Sequence, residues 1–426
     1  MKIKKILSRL LRLHPKSVDL SLDRIKRLLK DLNNPEKKLK NCIQVIGTNG
    51  KFSICSTLRE IYETAGYTVS LNVSPSLRKL NERYYFSGKH ITDNKLYDLL
   101  YEVEKINKGQ NITFHEFICA CFFLEASRTK SDLNILESGL FFRLDASNVL
   151  EKNIASIITP IGIDHKDFLK EGTINEIVYE KCSHLLNESK IIISEQNSAV
   201  LEKIKKIIIM NSSEKITFNE DYSYQKKTNN FIYKDRIGSI NLPFPNLLGD
   251  FQLSNVSTAI ATTRNLDKFK IKESHIAKAI TKIRSEGRLQ NITKGKLRKY
   301  VSKDNKIIID GAHNSLAALE VKKYLEIFYK KKKIIMILGM MINKEHKEFV
   351  KIFKGIVHSI IALDIPNQVN FIEKEKLSEI VKSCNIPSKT ESSIKKALKK
   401  ISKENNKAII FCTGSLYFCG EILNLN

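Results

Sequence analysis

The 426-residue chain carries 72 Lys and Arg against 46 Asp and Glu, a formal net charge of +26, with 42% hydrophobic residues, 17 Gly and 8 Pro. That length exceeds one ordinary core and points to two domains, while the composition excludes collagenous and disordered chains. The Lys excess is spread through Ile- and Asn-rich sequence, as at Lys37-Lys38, Lys205-Lys206 and 330–333, with no interleaving of Arg and aromatic residues. A solvated basic face is therefore expected, with no nucleic-acid partner.

The eight Cys form no CxxC pair and no zinc spacing, so they read as buried thiols of a reducing compartment. No segment approaches the roughly 18 apolar residues of a membrane span, and the start is too weakly apolar for a signal peptide. A cytoplasmic protein with no membrane partner is expected.

In chain order, apolar spacing predicts a helix over 23–32, stopped by Asn33-Asn34-Pro35. Residues 42–46 read as a buried strand, followed by Gly47-Thr48-Asn49-Gly50-Lys51-Phe52-Ser53 and a helix over 54–65 that ends at Gly66. A strand over 68–73 leads into Ser74-Pro75-Ser76-Leu77, then helices are expected over 91–106 and after Thr113. Strands follow at 133–137, 155–158, 191–193 and 206–210, with short strands and turns over 211–246. A helix centred on 255–263 precedes Ser285-Glu286-Gly287-Arg288. A second pattern then begins, with a strand into Asp310-Gly311, a helix over 315–328, and strands at 334–339, 359–363 and 408–411. The alternation predicts an α/β protein: a P-loop-containing, mostly parallel sheet domain over 1–295, then a smaller Rossmann-like α/β domain over 296–426.

The loop after the first strand is the strongest chemical signal. A helix start offers unpaired N–H groups and the positive end of its dipole to phosphates. Gly47 and Gly50 would permit tight turns, with Thr48 and Asn49 between them. Lys51 would reach the β- and γ-phosphates, and Ser53 could ligate Mg²⁺. The loop is shorter than the general GxxxxGK[ST] pattern, and an ordinary turn stays open on spacing alone. Glu137 ends a strand, where open α/β sheets place ligands.

With the flanking residues, the chain resembles the folylpolyglutamate synthase and dihydrofolate synthase family, within the Mur-ligase-like ATP-dependent amide ligases. Residues 47–53 are similar to that family's GTNGKGS, and Leu22-Asp23-Arg24-Ile25 and Asn34-Pro35 to its lead-in. Ser74-Pro75-Ser76-Leu77 and Asn81-Glu82-Arg83 resemble SPHL and NER, a loop that in relatives helps hold the pterin-bearing substrate; Ser74, Pro75 and Arg83 are the residues it implies. The stretch from Glu137 to Asn148 resembles EVGLGGRLDATN, which implies Glu137 as a metal-binding carboxylate and Arg143 and Asp145 as organisers of the substrate end. Thr159-Pro160-Ile161-Gly162-Ile163-Asp164-His165 resembles TSIGLDH and implies His165 at a second metal.

Glu180-Lys181 matches a pair whose Lys is commonly carbamylated in relatives. Asn255 follows Gln252 as in the family's HQ pattern, though Phe251 replaces the His, and Gly287-Arg288 resembles PGR, whose Arg meets phosphate. Asp310-Gly311-Ala312-His313-Asn314 is close to DGAHNP and implies nucleotide contacts for Asp310 and His313. Asn343-Lys344-Glu345 departs from the usual DKD, and Ser415 lies in the preserved GSLY.

The resemblance implies ligation of L-glutamate to dihydropteroate, reduced folates or both, by a monomer using ATP and Mg²⁺ or Mn²⁺. An acyl phosphate would form first and be attacked by the glutamate amine. Lys51, Lys181, Arg288 and His313 are the implied catalytic residues, and Ser53, Glu137 and His165 the implied metal ligands. Three other readings stay open: a weakened relative that retains nucleotide or pteroate binding, a cell-wall amino-acid ligase, and a nucleic-acid binder. The first draws on Phe52 and Phe141-Phe142, which stand where the family has glycine. These rings are expected to turn outward or to fill apolar space beside the site.

Overall fold

Every residue from Cys42 to Ile46 is buried, so this strand can sit only inside a sheet covered on both faces. The computed structural model describes residues 2–14, 16 and 19–426. It divides into two units, one comprising the chain up to Ile161 with Thr173–Asn246 and Leu253–Ile283, the other Gly162–Gly172, Leu247–Gln252 and Arg284–Asn426.

The first unit opens with α1 (Lys2–Leu10), α2 (Asp23–Asp31), β1 (Cys42–Ile46), α3 (Lys51–Thr64) and β2 (Val69–Asn72). The hairpin β3 (Tyr84–Phe86) and β4 (Lys89–His90), α4 (Asp93–Asn107), α5 (Phe114–Arg128), β5 (Leu133–Glu137) and β6 (Ala155–Ile158) follow. Next come α6 (Ile174–Cys182), β7 (Lys190–Ile193), α7 (Ser198–Ile207) and β8 (Glu214–Thr217). The strands β9 (Tyr222–Lys226), β10 (Asn230–Asp235) and β11 (Gly238–Pro243), then α8 (Phe251–Arg264) and α9 (Glu273–Ile280), complete the series.

The main sheet runs β4-β3-β2-β5-β1-β6-β7-β8, parallel from β2 to β8 with an antiparallel hairpin at one edge. Register sets Val45 beside Glu137 and Ile46 beside Ile158, which brings the ends of three strands to one side, where a phosphate loop and a carboxylate can meet. On one flank α5 is buried along most of its length, with Phe117, Phe122 and Phe123 fully enclosed among α1, α2 and α4. Each such ring contributes about 1.5–3 kcal/mol through area removed from water, which makes α5 a rigid support. The strands β9, β10 and β11 form a separate antiparallel sheet.

In the second unit β12 (Gln290–Asn291), β13 (Lys306–Ile309), α10 (Ser315–Tyr329), β14 (Ile334–Leu338), α11 (His346–Ile352) and β15 (Ser359–Ala362) lead to α12 (Lys374–Ser383). Then come β16 (Ser388–Thr390), α13 (Ile394–Glu404), β17 (Ile409–Thr413) and α14 (Leu416–Leu425). The sheet order is β12-β13-β17-β14-β15-β16, parallel except for the β12 edge. Ile309 pairs with Cys412 and Leu338 with Thr413, which aligns the loops after β13, β14 and β17 at one end of the sheet.

One expected strand is corrected. Residues 206–210 are not a strand: α7 runs through Ile207, and the chain turns before β8. Val200 and Ile204, four apart, face the core with Ile208, while Ile209 and Met210 are exposed. A short apolar run at a helix end has the same composition as a strand, and only the i, i+4 burial separates the two. All eight Cys are buried and free, and burial pushes the Cys42, Cys182 and Cys412 thiols up to about 12, away from the reactive thiolate. Among the described residues no helix is long and apolar enough to cross a membrane.

Candidate active site

Gly50 takes φ +85° as the residue before α3, and Gly47 takes φ +142°, conformations that L side chains rarely adopt. Both are also crowded. A methyl at Gly47 would lie 2.1 Å from Thr159 Oγ1 and 2.8 Å from its carbonyl oxygen, and one at Gly50 would lie 2.5 Å from Asn255 Oδ1. The loop is pinned by the Pro160 carbonyl, which accepts from Thr48 N at 3.0 Å and Asn49 N at 3.2 Å. Gln196 supports that segment in turn, donating to Thr159 O at 3.0 Å and accepting from Ile161 N at 3.0 Å.

Two lysines converge beneath this loop. Lys51, 9% exposed, donates to Gly47 O and Thr48 O at 3.0 Å each, and Lys181, 3% exposed, donates to Gly47 O at 2.9 Å and also to Leu140 O. Two buried ammonium groups on one carbonyl form a concentrated positive site in a low-dielectric surrounding. Ser53 lies in the first turn of α3, 2% exposed. Glu137, 4% exposed, accepts from Ser74 N at 3.0 Å, which ties the substrate loop to the carboxylate strand.

Within the 74–83 loop, Glu82 accepts from the backbone of Leu77, Arg78 and Lys79, while Arg83 has a buried Nε without a hydrogen-bond partner. Arg143 forks onto Glu180 at 2.8–3.0 Å, and this partner holds the guanidinium above its ordinary value. Asp145 turns inward: Oδ1 accepts from Ser147 N at 2.9 Å and Ser147 Oγ at 2.6 Å, and Oδ2 accepts from Gly139 N at 2.9 Å. Burial opposes its charge, yet His115 and Ser147 outweigh that and hold its pKa below the ordinary carboxylate value. Phe141 and Phe142 are fully buried, with Lys181 Nζ 5.3 Å from the centroid of the Phe141 ring, and Phe52 is half-buried.

The remaining expected residues belong to the second unit. Asp310 is a backbone clamp: its two oxygens accept from Leu289 N and Ala312 N at 2.8 Å each. Its pKa is raised by burial, against the lowering effect of Arg288. Arg288 Nη1 donates to Gly287 O at 3.1 Å. Ser415 begins α14, its Oγ accepting from Tyr417 N at 3.2 Å.

His313 has Nδ1 2.8 Å from Gly311 O and Nε2 3.3 Å from Asp164 Oδ2. Asp164 also accepts from Asn314 Nδ2 at 3.0 Å and from His165 N at 2.9 Å, and it pairs with Lys344. Burial opposes this carboxylate's charge, but His313, His165 and Lys344 hold its pKa far below the usual range. These residues line a cavity of about 300 Å³ whose walls mix carboxylates with lysines and imidazoles. Asp164, Lys344, Thr159, Gln196 and His115 were missed as site residues. Asp164, Lys344 and Thr159 were visible within quoted motifs, whereas Gln196 and His115 carry no local signal.

His165, expected at a second metal, belongs to the second unit, and for a first divalent cation Ser53 and Glu137 supply oxygen donors in the first unit. Among the described residues no group of three or more His, Cys, Asp or Glu forms a closed metal cage. That donor set fits an ion such as Mg²⁺, which keeps waters and takes one or two protein ligands together with substrate phosphates.

A glycine loop at a helix start, with buried cations and a carboxylate at adjacent strand ends, defines a nucleotide-dependent enzyme of the phosphate-loop α/β class. Residues 293–425 match the family model described as dihydrofolate synthetase, C-terminal domain. The chain is 31% identical over 389 residues to a dihydrofolate synthase/folylpolyglutamate synthase of Buchnera aphidicola subsp. Acyrthosiphon pisum, covering 89% of this chain and 88% of the relative. The fold is similar to that of E. coli FolC in complex with DHPP and ADP, with a TM-score of 0.88 at 24% identity, covering 99% of this chain and 97% of that one. It is likewise similar to the Yersinia pestis bifunctional enzyme complexed with AMPPNP and Mn ion, with a TM-score of 0.86 at 21% identity over 99% and 97% of the chains. The chain belongs to the dihydrofolate synthase/folylpolyglutamate synthase family, and it is an ATP-dependent ligase.

Proposed function

We propose that the protein joins L-glutamate to dihydropteroate, and to reduced folates, at the expense of ATP, acting as a cytoplasmic monomer. The observation that carries this reading is the convergence of Lys51 and Lys181 on Gly47 O beneath a helix start, with Glu137 at a neighbouring strand end. In this reading residues 1–295 form the ATP-binding domain and 296–426 the glutamate-ligase domain.

The acceptor carboxylate attacks the γ-phosphorus of ATP and ADP leaves, giving an acyl phosphate. The amine of L-glutamate then attacks the acyl carbon, and phosphate departs with one oxygen of the original carboxylate. The N-terminal end of α3 and Lys51 hold the phosphates, and Asn255 backs the loop at Gly50. Ser53 and Glu137 would hold one Mg²⁺ or Mn²⁺ and His165 would serve a second; bound there, such an ion would neutralise charge on the phosphate oxygens. Ser74, Pro75 and Arg83 face the acceptor, and Arg143 and Asp145 shape its loop. In the second unit Arg288 is the phosphate-directed cation, Asp310 orders the turn that carries the nucleotide-facing His313, and Ser415 serves the amino-acid substrate.

Lys181 is proposed to be carbamylated: its neutral amine adds to CO₂, an N–C bond forms and a proton is released. The change would replace one of two crowded ammonium groups with an anion beside Lys51. Mass spectrometry of the native protein in bicarbonate would reveal the adduct. The whole reading is tested with purified protein, Mg-ATP, L-glutamate and either dihydropteroate or tetrahydrofolate. Dihydrofolate and ADP should appear in equal amounts, and turnover only on a cell-wall precursor would overturn it.

A further inference from the structure

His115 stands apart from the residues assigned so far. It occupies the first turn of α5, a turn fixed from several sides: Thr113 and Glu116 form a reciprocal cap, and Glu116 is gripped by Arg24 at 2.8 and 3.0 Å. From this anchored position Nε2 lies 3.5 Å from Asp145 Oδ2 and 3.7 Å from Cys119 Sγ. The same ring edge packs on Gly139, where an added methyl would lie 3.0 Å from Nε2, 3.2 Å from Cε1 and 2.9 Å from Asp145 Oδ2. Gly139 is thus the small residue that lets a ring, a carboxylate and a backbone N–H share one spot.

We infer that His115 is a positioning residue for the acceptor substrate, fixing the Asp145 carboxylate and through it the 138–148 loop. The inference rests on the proposed assignment of that loop to the acceptor. His115 brings its Nε2 to a loop carboxylate thirty residues away in sequence as well as to Cys119 on its own helix, and its side chain stays 26% exposed. Asp145 ties the loop to itself, Oδ1 accepting from Ser147 and Oδ2 from Gly139. It thereby holds the loop's shape, and His115 is its partner from a rigid element. The titratable groups facing the ring are Cys119 on its own helix and Asp145 on the loop. Burial opposes the charged ring, but these two outweigh it, and the imidazole titrates well above its ordinary value.

The test compares wild type with His115→Leu and His115→Gln, measuring KM for dihydropteroate, ATP and glutamate, and kcat. Gln offers a neutral donor close to the position of Nε2. In His115→Leu the dihydropteroate KM should rise several-fold, with the KM for ATP unchanged. His115→Gln should recover most of that loss. Should the Leu variant fail to fold, the pH profile of the Gln variant decides. Wild-type acceptor KM should rise as pH climbs through the raised imidazole pKa, and the Gln variant should lack that rise. An unchanged acceptor KM in folded His115→Leu, or one pH profile for wild type and His115→Gln, overturns the inference alone. A wild type inert towards dihydropteroate and folates would remove the functional reading as well.

Discussion

Gly47→Ala isolates the geometry on which the phosphate loop depends. The methyl would meet Thr159 Oγ1 at 2.1 Å and the Thr159 carbonyl oxygen at 2.8 Å. The hydroxyl can rotate away, but the carbonyl cannot: its residue donates to Ile46 O at 2.7 Å, and Gln196 grips the oxygen at 3.0 Å. Overpacking of this kind costs about 1–3 kcal/mol, and holding Ala at positive φ costs about 1–3 kcal/mol more. The loop can escape only by leaving Pro160 O, which would displace the helix start meant for phosphate. A shift of about 1 Å at a reacting group can lower turnover by about a hundredfold. Gly66→Ala is the control, since Gly66 also has positive φ (+92°) but nothing within 4 Å, so it carries the backbone cost alone. Urea unfolding should show Gly47→Ala less stable than Gly66→Ala by about 1–3 kcal/mol, with turnover lost only in the former. Equal stability of the two variants together with wild-type turnover in Gly47→Ala would refute this reasoning.

Other outcomes follow from the same contacts. Lys51→Ala should leave the unfolding midpoint nearly unchanged while depressing kcat at saturating ATP at least about a hundredfold; wild-type kcat would remove Lys51 from the mechanism. Phe142→Ala should cost about 3–5 kcal/mol in denaturant unfolding without improving the KM for ATP, because the ring fills core rather than phosphate space. Arg264 binds Asp235 at 2.6 Å, and although burial opposes the carboxylate's charge, Arg264 holds its pKa below the ordinary value. A group with a depressed folded pKa gives stability present above its unfolded value, about 4, and lost as pH falls through the folded one. Arg264→Met should therefore trail wild type by about 3 kcal/mol at neutral pH, and the gap should narrow in unfolding measured below about pH 4.

The sequence was most readable where chemistry is local. The strand before Gly47, the turn at Asp310 and the end of β5 each join a periodic apolar run to a polar loop, so pattern alone located them. The run at 206–210 misled because a helix end and a short strand share a composition. The support around the site was hidden for a different reason. Lys344 meets Asp164 across 180 residues of chain, and Gln196 reaches Thr159 across 37. His115 finds Asp145 only because α5 packs beside the strand end. Such partnerships come from tertiary packing, and no spacing rule encodes them. Arg143 and Asp145 show the converse: their positions were readable, but that Glu180, Ser147 and Gly139 occupy their polar atoms was not.

The central claim, glutamate ligation through an activated acceptor, is tested most directly by following oxygen. Dihydropteroate labelled with ¹⁸O in its carboxylate is incubated with the protein, Mg-ATP and L-glutamate, and the released phosphate is analysed by mass spectrometry. The account predicts one labelled oxygen in each phosphate, in step with dihydrofolate formed. Dihydrofolate accompanied by unlabelled phosphate would contradict it.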